Sequence, residues 1–404
     1  MITVQKFGGT SVADPERIRE VAAHAVRTYK RGAKVVLVVS AMGKETDVLL
    51  RLAGDVSDTQ PGREMDMLIT AGERKSMALV AMAITDLGVP SESFTGSQAG
   101  FITDEAHTDA KILEITPERI AAALDAGVIP VIGGSQGVSR DSKNVTFLGR
   151  GGSDTTAVAI AHALGADVCE LYTDVTGVFS ADPRIVAGAS KMPEISFDEL
   201  LEMTATGCPK PAMRSVEFAR RHEVPLHVRS AFTWEQGTIV KEEIDHMEYA
   251  VVRAVTHDTS EARLTVSGVP DQPGIAAQMF IGLAEHDINV DLIVQNRSDH
   301  GRTDISFTVP HKQAELAAEL IDGMAGLLDN AGVDLDHEVG RVSITGAGMK
   351  NTPGVAAKMF QVLAENEINI TMISTSAIRT SCVIAEADVE RAVQILHTAF
   401  DLDA

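Results

Sequence analysis

Up to about Thr238, short apolar runs alternate with amphipathic stretches. That alternation predicts helices packed on a mainly parallel sheet. Lys34-Val35-Val36-Leu37-Val38-Val39 and Val128-Ile129-Pro130-Val131-Ile132 read as buried strands, and Ile2-Thr3-Val4-Gln5 is strand-like. In Asp14-Pro15-Glu16-Arg17 an N-cap precedes proline at the first helical position, which predicts a helix running to Lys30 and stopping at Gly32. Thr155 to Leu164, rich in Ala and Val, predicts a buried helix.

Beyond Thr238 the pattern repeats itself. Pro273-Gly274-Ile275-Ala276-Ala277-Gln278-Met279-Phe280 recurs as Pro353-Gly354-Val355-Ala356-Ala357-Lys358-Met359-Phe360, and Ile288-Asn289-Val290 as Ile368-Asn369-Ile370, both 80 residues on. Leu264-Thr265-Val266-Ser267-Gly268 and Val342-Ser343-Ile344-Thr345-Gly346 precede the two turns. Each copy reads strand, Pro-Gly turn, amphipathic helix, Ile-Asn strand, then a further strand and helix, the order of a ferredoxin-like βαββαβ unit. The boundaries expected are 1–240 for the first domain, 241–250 for an acidic hinge, and 251–335 and 336–404 for the two copies.

The formal charge of −22 argues against nucleic acid as a partner. No apolar run approaches the ~20 residues of a membrane helix, and the N-terminus does not read as a secretion signal. Cys169, Cys208 and Cys382 suggest neither a disulfide framework nor a zinc site. A cytoplasmic enzyme is the plain expectation. Any anionic ligand must be drawn in by a local positive cluster, for which Lys6, Arg150, Lys210, Arg214 and helix N-termini are the candidates.

Two Gly-Gly turns carry the chemistry. Lys6-Phe7-Gly8-Gly9-Thr10-Ser11 and Leu148-Gly149-Arg150-Gly151-Gly152-Ser153-Asp154-Thr155-Thr156 each join a strand-like run to a helix-like run. Each sets a charged side chain beside backbone that glycine leaves bare, which suits binding of a triphosphate. Neither fits G-x-x-x-x-G-K-[ST] or G-x-G-x-x-G.

Together with Ser40-Ala41-Met42-Gly43, Thr70-Ala71-Gly72-Glu73 and Ala181-Asp182-Pro183-Arg184, in that order, these segments resemble aspartate kinase of the amino-acid kinase fold. The C-terminal third resembles that family's paired ACT domains, so the resemblance spans essentially the whole chain. It implies a three-layer αβα kinase domain followed by two ACT domains. It also implies transfer of a phosphoryl group from ATP to L-aspartate, with Mg2+ on the ATP phosphates and no metal held directly by the chain. Lys6 would reach the transferring phosphoryl group, Asp154 would orient that lysine or the metal shell, and Arg150 would bind aspartate. The nucleotide would be held by Lys6, Phe7, Gly8, Gly9, Ser40 and Ser153, by Thr173 and Asp174, by the loop Phe179, Ser180, Ala181, Asp182, Pro183 and Arg184, and by Lys210. The substrate would meet Ser40, Thr46, Asp47, Glu73, Arg150, Gly151, Gly152 and Ser153. An effector amino acid, threonine or lysine or both, would bind at Asp271, Gln272, Pro273, Gly274, Ile275, Gln295 and Asn296, with Asn351 and Thr352 matching in the second copy. A homo- or hetero-oligomer built through the ACT domains is expected.

Simpler readings stand beside these. Asp154 suits a cap on the Thr155 helix, Glu73 a first-turn acid, and Asp182-Pro183 a plain turn. The proposed nucleophile, an aspartate side-chain carboxylate with a reference pKa of about 3.9, is already ionised at pH 7 and needs no general base. The chain departs from the family pattern at Thr176, Phe179, Ala377 and Thr380, and Lys210 comes one position late between Pro209 and Pro211. Two rivals stand beside the resemblance: a kinase of the same fold acting on another substrate, and an amino-acid sensor with a kinase domain weakened by the changes at Thr176, Phe179 and Pro209.

Overall fold

A computed structural model of the chain describes residues 1–242, 250–295, 301–324, 326–329 and 331–403. Asn296 and most of the expected hinge lie outside the described residues. Two compact units emerge. One comprises Met1–Val178, Lys191–Thr204 and the stretch beginning at Pro209, and the other comprises Phe179–Ser190, Ala205–Cys208 and the C-terminal part of the chain.

The first unit is built on an eight-stranded sheet. Its order is Glu194–Ser196, Thr238–Lys241, Leu226–Ser230, Val168–Thr173, Ile2–Phe7, Lys34–Val39, Ile129–Gly133, Ser91–Phe94. Every pairing is parallel except Leu226–Ser230 with Thr238–Lys241. Lys241 therefore ends a strand paired on both sides, where it forms an ion pair with Glu194 of the edge strand, and does not open a hinge.

The continuous apolar runs follow from burial on both faces. Phe7, Val35, Leu37 and Val39 pack with Ile18 and Val21 of the helix Pro15–Lys30 and with Val80 and Ile84 of the helix Gly62–Asp86. Strands Ile2–Phe7 and Lys34–Val39 also receive the helix Gly152–Ala163, and the alternate residues Val4, Val36 and Val38 are buried too. The result is an αβα arrangement. Asp14 caps its helix as expected, accepting from the Glu16 and Arg17 N–H groups at 3.0 and 2.9 Å. A small sheet of Ile112–Ile115, Phe101–Thr103, Gln136–Ser139 and Val145–Phe147 was not anticipated.

The second unit holds both repeat copies. In the first, Ile293–Gln295, Arg302–Pro310, Glu261–Pro270 and Gly332–Asp336 form one antiparallel sheet, with helices Ile275–Ala284 and His311–Gly323. This is the expected βαββαβ unit.

The second copy differs from expectation. Its sheet runs Ala254–Asp258, Val339–Thr345, Arg379–Ala385, Met372–Thr375. Its outer strand is thus supplied from before the first copy, which is inserted into the second rather than preceding it. Val255 shares a core with Val342, Ile344 and Ile384, so burial favours this closure.

The boundary at 240 also needs correction. Ala181 and Val186 belong to that same core, and Ser180 Oγ lies 2.8 Å from His397 Nε2 and accepts from Ser190 N–H at 2.9 Å. Phe179–Ser190 therefore packs as part of the second unit.

Candidate active site

Lys6 is the penultimate residue of the strand Ile2–Phe7, and its ammonium is almost fully buried. The helix Gly152–Ala163 begins beside it, after Gly151 in the left-handed region at φ 73°. Asp154 in the first turn places Oδ1 2.6 Å from Lys6 Nζ, and its Oδ2 accepts from Ala212 N–H at 3.1 Å. Burial pushes the Asp154 carboxyl up, but the charges of Lys6 and Lys210, with hydrogen bonds from Lys6 and Ala212, outweigh it. The group is held below the usual carboxylate range. Asp154 does not cap the helix, contrary to the simpler reading: Gly151 is the N-cap residue.

Glycine is required in both turns by close approach. A Cβ on Gly9 would lie 2.9 Å from the carbonyl oxygens of Ala41 and Gly43, and one on Gly151 would lie 2.4 Å from Ala212 Cβ.

A chain of contacts leads from this pair to Glu73. Ser153 Oγ lies 2.8 Å from Ser40 Oγ, and Ser76 Oγ reaches the Ser40 carbonyl at 2.7 Å and the Glu73 carbonyl at 3.0 Å. Glu73 is in the middle of the helix Gly62–Asp86, not its first turn, so a helix-dipole role is ruled out. It is 3% exposed, and its Oε2 has no hydrogen-bond partner among the described residues. Burial pushes its carboxyl up to about 7, against smaller opposing effects of its own backbone and that of Ala41. An unpaired buried carboxylate is costly unless a ligand completes it.

Other expected residues divide into three groups. Arg150 is exposed in the turn before Gly151 and Gly152, and no carboxylate pairs with it among the described residues. Thr46 and Asp47 sit in the first turn of the helix Glu45–Val56 rather than in a loop. Thr173 ends its strand, with exposed Asp174 after it, and exposed Lys210 acts electrostatically on Asp154.

A second group is committed elsewhere. The Phe7 ring is core, stacked on Tyr172 at 4.7 Å, which leaves only its backbone for a ligand. Ser180 and Ala181 are buried in the second unit, and Asp182 is gripped by Arg184 through several short hydrogen bonds, the most direct at 2.6 Å. Arg214 donates to the Leu148 and Ala110 carbonyls at 2.8 Å each, so it fastens backbone and is not a loose cation.

The third group forms the exposed turns of the second unit. Asp271, Gln272, Pro273 and Gly274 are exposed before the helix beginning at Ile275, and Gln295 is exposed at the end of an edge strand. Gly274 and Gly354 cap their helices with matching φ values of 96° and 91°. Asn351 and Thr352 are exposed at the second turn.

Sequence reading missed Gly133-Gly134-Ser135, a third Gly-Gly turn at a strand end. A Cβ on Gly134 would lie 2.6 Å from Ser153 Cβ, so this turn forms a wall of the site. Its signal was the Gly-Gly pair at the end of an apolar run, without the charged neighbour that marks the other two turns.

The comparisons agree with this geometry. Residues 1–230 match the amino acid kinase family, and residues 264–323 and 342–400 match an ACT domain. The aspartokinase of Mycolicibacterium smegmatis is 54% identical over 99% of this chain and 96% of its own length. The structure of aspartate kinase from Synechocystis is 41% identical, covering 99% of this chain and 70% of that one, with a TM-score of 0.56. E. coli aspartokinase III, solved with aspartate and ADP, covers 99% of both chains with a TM-score of 0.85; at 24% identity it speaks for the fold. A site built on a buried lysine, two Gly-Gly turns and a buried carboxylate with an unpartnered oxygen, together with near full-length identity of this order, shows that the chain belongs to the aspartokinases, kinases that phosphorylate aspartate with ATP.

Proposed function

We propose that Lys6 stabilises the γ-phosphoryl group as it moves from ATP to the side-chain carboxylate of L-aspartate, with Asp154 holding Lys6 in place. A carboxylate oxygen attacks the γ-phosphorus and the bond to the β-phosphate oxygen breaks, which gives 4-phospho-L-aspartate and ADP. No proton leaves the nucleophile, which suits a site whose catalytic work is alignment and charge stabilisation. Because the side-chain carboxylate must stay free to attack, Arg150 takes the α-carboxylate and Glu73 the α-ammonium. Ser153 and Ser40 stand in the chain of contacts that leads to Glu73. Among the described residues no three His, Cys, Asp or Glu side chains gather as a metal site. In this reading Mg2+ is carried on the phosphates of ATP, as phosphoryl transfer requires.

The observation that carries this reading is the buried Glu73 carboxylate, one oxygen of which has no partner among the described residues, on a helix turn whose backbone is linked through Ser76, Ser40 and Ser153 to the buried Lys6–Asp154 pair. ADP release with aspartate and glutamate side by side is the direct test: activity with aspartate alone is expected, and equal rates would overturn the substrate assignment.

Arg150→Lys keeps the charge but loses the planar fork that grips a carboxylate at two points. The aspartate KM should rise by about tenfold or more, in keeping with the ~1.5–3 kcal/mol of a charged hydrogen bond. Unchanged kinetics would show that Arg150 acts only as diffuse charge. Lys210→Ala should raise the KM for ATP with little effect on that for aspartate, because Lys210 already adds to the field at Asp154. An unaltered ATP KM would assign Lys210 to the surface.

Feedback control belongs to the same reading. No described helix is long and apolar enough to cross a membrane, and a cytoplasmic enzyme at the start of lysine, threonine and methionine synthesis is the proposed setting. The start of the helix after Gly274 and the exposed Gln295 offer backbone N–H groups and an amide to threonine or lysine, since the Asp271 and Gln272 N–H groups already donate to the Gly301 and Pro270 carbonyls. Inhibition requires only that the effector favour one arrangement of an ACT-linked oligomer, for which a coupling of ~1–3 kcal/mol suffices. Titrating activity with each amino acid, singly and together, should show inhibition that Gln295→Ala weakens. Indifference to both at millimolar levels would leave the ACT pair a scaffold.

A further inference from the structure

The same helix that carries Glu73 carries a second buried carboxylate to which no role has so far been given. Asp66 is fully buried, seven residues earlier and so on nearly the same helical face. Its Oδ1 accepts from Thr108 N–H at 2.9 Å, and its Oδ2 lies 2.6 Å from His107 Nδ1. Thr108 is held at φ 71°, a left-handed conformation that a β-branched residue adopts only under constraint.

What Asp66 restrains is the wall behind Arg150. A Cβ on Gly149 would lie 2.7 Å from Asp109 Oδ1 and 3.4 Å from the Thr108 carbonyl, so the Gly149-Arg150 turn rests directly against this loop. Ala110 N–H donates to Phe147 O at 2.9 Å, and Arg214 joins the Ala110 and Leu148 carbonyls, so loop and turn are fastened together at Ala110.

We infer that Asp66 is a positioning residue for aspartate recognition: by anchoring His107 and Thr108 it fixes the Arg150 turn relative to Glu73 on the same helix. The inference rests on Arg150 and Glu73 gripping the two α-groups of the substrate. A rigid spacing between a carboxylate grip and an ammonium grip then selects the amino acid and aims its side chain. Misplacement of the order of an ångström can cost as much as ~100-fold.

Steady-state kinetics of Asp66→Ala, Asp66→Asn, His107→Ala and Arg150→Ala test this, with thermal melting to confirm folding. Asp66→Ala should raise the aspartate KM by about tenfold or more with the ATP KM within about twofold, since only the amino-acid side of the site loses its support. Asp66→Asn still offers an oxygen to Thr108 N–H and should recover most of the loss. His107→Ala, which removes one of two anchors, should show a smaller shift in the same direction, and it decides the matter if Asp66→Ala does not fold. An unchanged aspartate KM in the Asp66 and His107 variants, with Arg150→Ala impaired, would overturn the positioning role alone. Equal damage to both KM values would also overturn it, by showing a merely structural carboxylate. An unimpaired Arg150→Ala would instead overturn the underlying assignment of Arg150.

Discussion

Lys6→Ala is expected to lower kcat by roughly 100- to 1000-fold while leaving the KM for ATP nearly unchanged, the scale found when one preorganised donor is taken from a developing charge. An interaction that tightens as the phosphoryl group moves is lost from kcat, whereas one present equally in the ground state is lost from KM. Asp154→Asn should act in the same direction by a second route. It keeps an oxygen for the Ala212 N–H but releases the Lys6 ammonium from its position 2.6 Å away. The two side chains are only 4% and 3% exposed, so removing either partner strands a buried charge, at a cost of about 3–5 kcal/mol. The double variant Lys6→Ala with Asp154→Asn should therefore be more stable than Lys6→Ala, yet no more active. Urea melts and steady-state kinetics on the four proteins would show this as a non-additive cycle. A near-normal kcat for Lys6→Ala would remove the lysine from the reaction.

Sequence order revealed the elements that bind locally. Asp14 and Pro15 begin a helix because the cap and the fixed φ act within one turn, and that helix ends at Lys30, two residues before Gly32 at φ 95°. Lys34–Val39 is a strand whose five apolar residues are all fully buried, since both of its faces are covered. The Gly-Gly turns were legible for a related reason, because glycine next to a charged residue marks backbone that must come close to something.

Long-range choices were not written in that way. Asp258, the last residue of the strand Ala254–Asp258, lies 81 residues before Val339, the first of its partner strand, and the pairing runs from Ala254 with Thr345 to Asp258 with Arg341. Nothing local says which sheet edge a short strand will close. The sequence of Ser180 and Ala181 fits a nucleotide loop by resemblance, but the packing of Ala181 with Val342 and Ile344 is a tertiary fact. Arg214 reads as a free cation in a motif and proves to be a clamp on two carbonyls. Glu73 is the instructive case. Its helix is 25 residues long and its apolar periodicity is weak at that point, so its depth could not be read, and depth is what gives the carboxylate its chemistry.

That depth leads to a trade between stability and binding at Glu73. Without ligand its carboxyl is pushed up to about 7 from an ordinary 4.5, chiefly by burial. The folded state therefore holds the proton more tightly than the unfolded chain does. Stability associated with this group is complete below the unfolded value of 4.5, falls as pH rises through the window between 4.5 and about 7, and is lost above it. At pH 8 the ionised carboxylate costs the ligand-free protein on the order of 3 kcal/mol. Glu73→Gln removes that charge, so the variant should be more stable than the parent at pH 8 and show little or no gain at pH 4. The same change should raise the aspartate KM by about 100-fold, because the α-ammonium loses a charged acceptor in a buried site. In the parent enzyme the aspartate KM should worsen as pH falls below about 7, while that for ATP stays level across the same range. Denaturant melts at the two pH values, paired with aspartate KM measurements from pH 6 to 8, would decide it. A variant that gains stability at pH 8 but still binds aspartate normally would leave Glu73 a strained core carboxylate and hand the ammonium to another group. One that loses both would make it a structural acid.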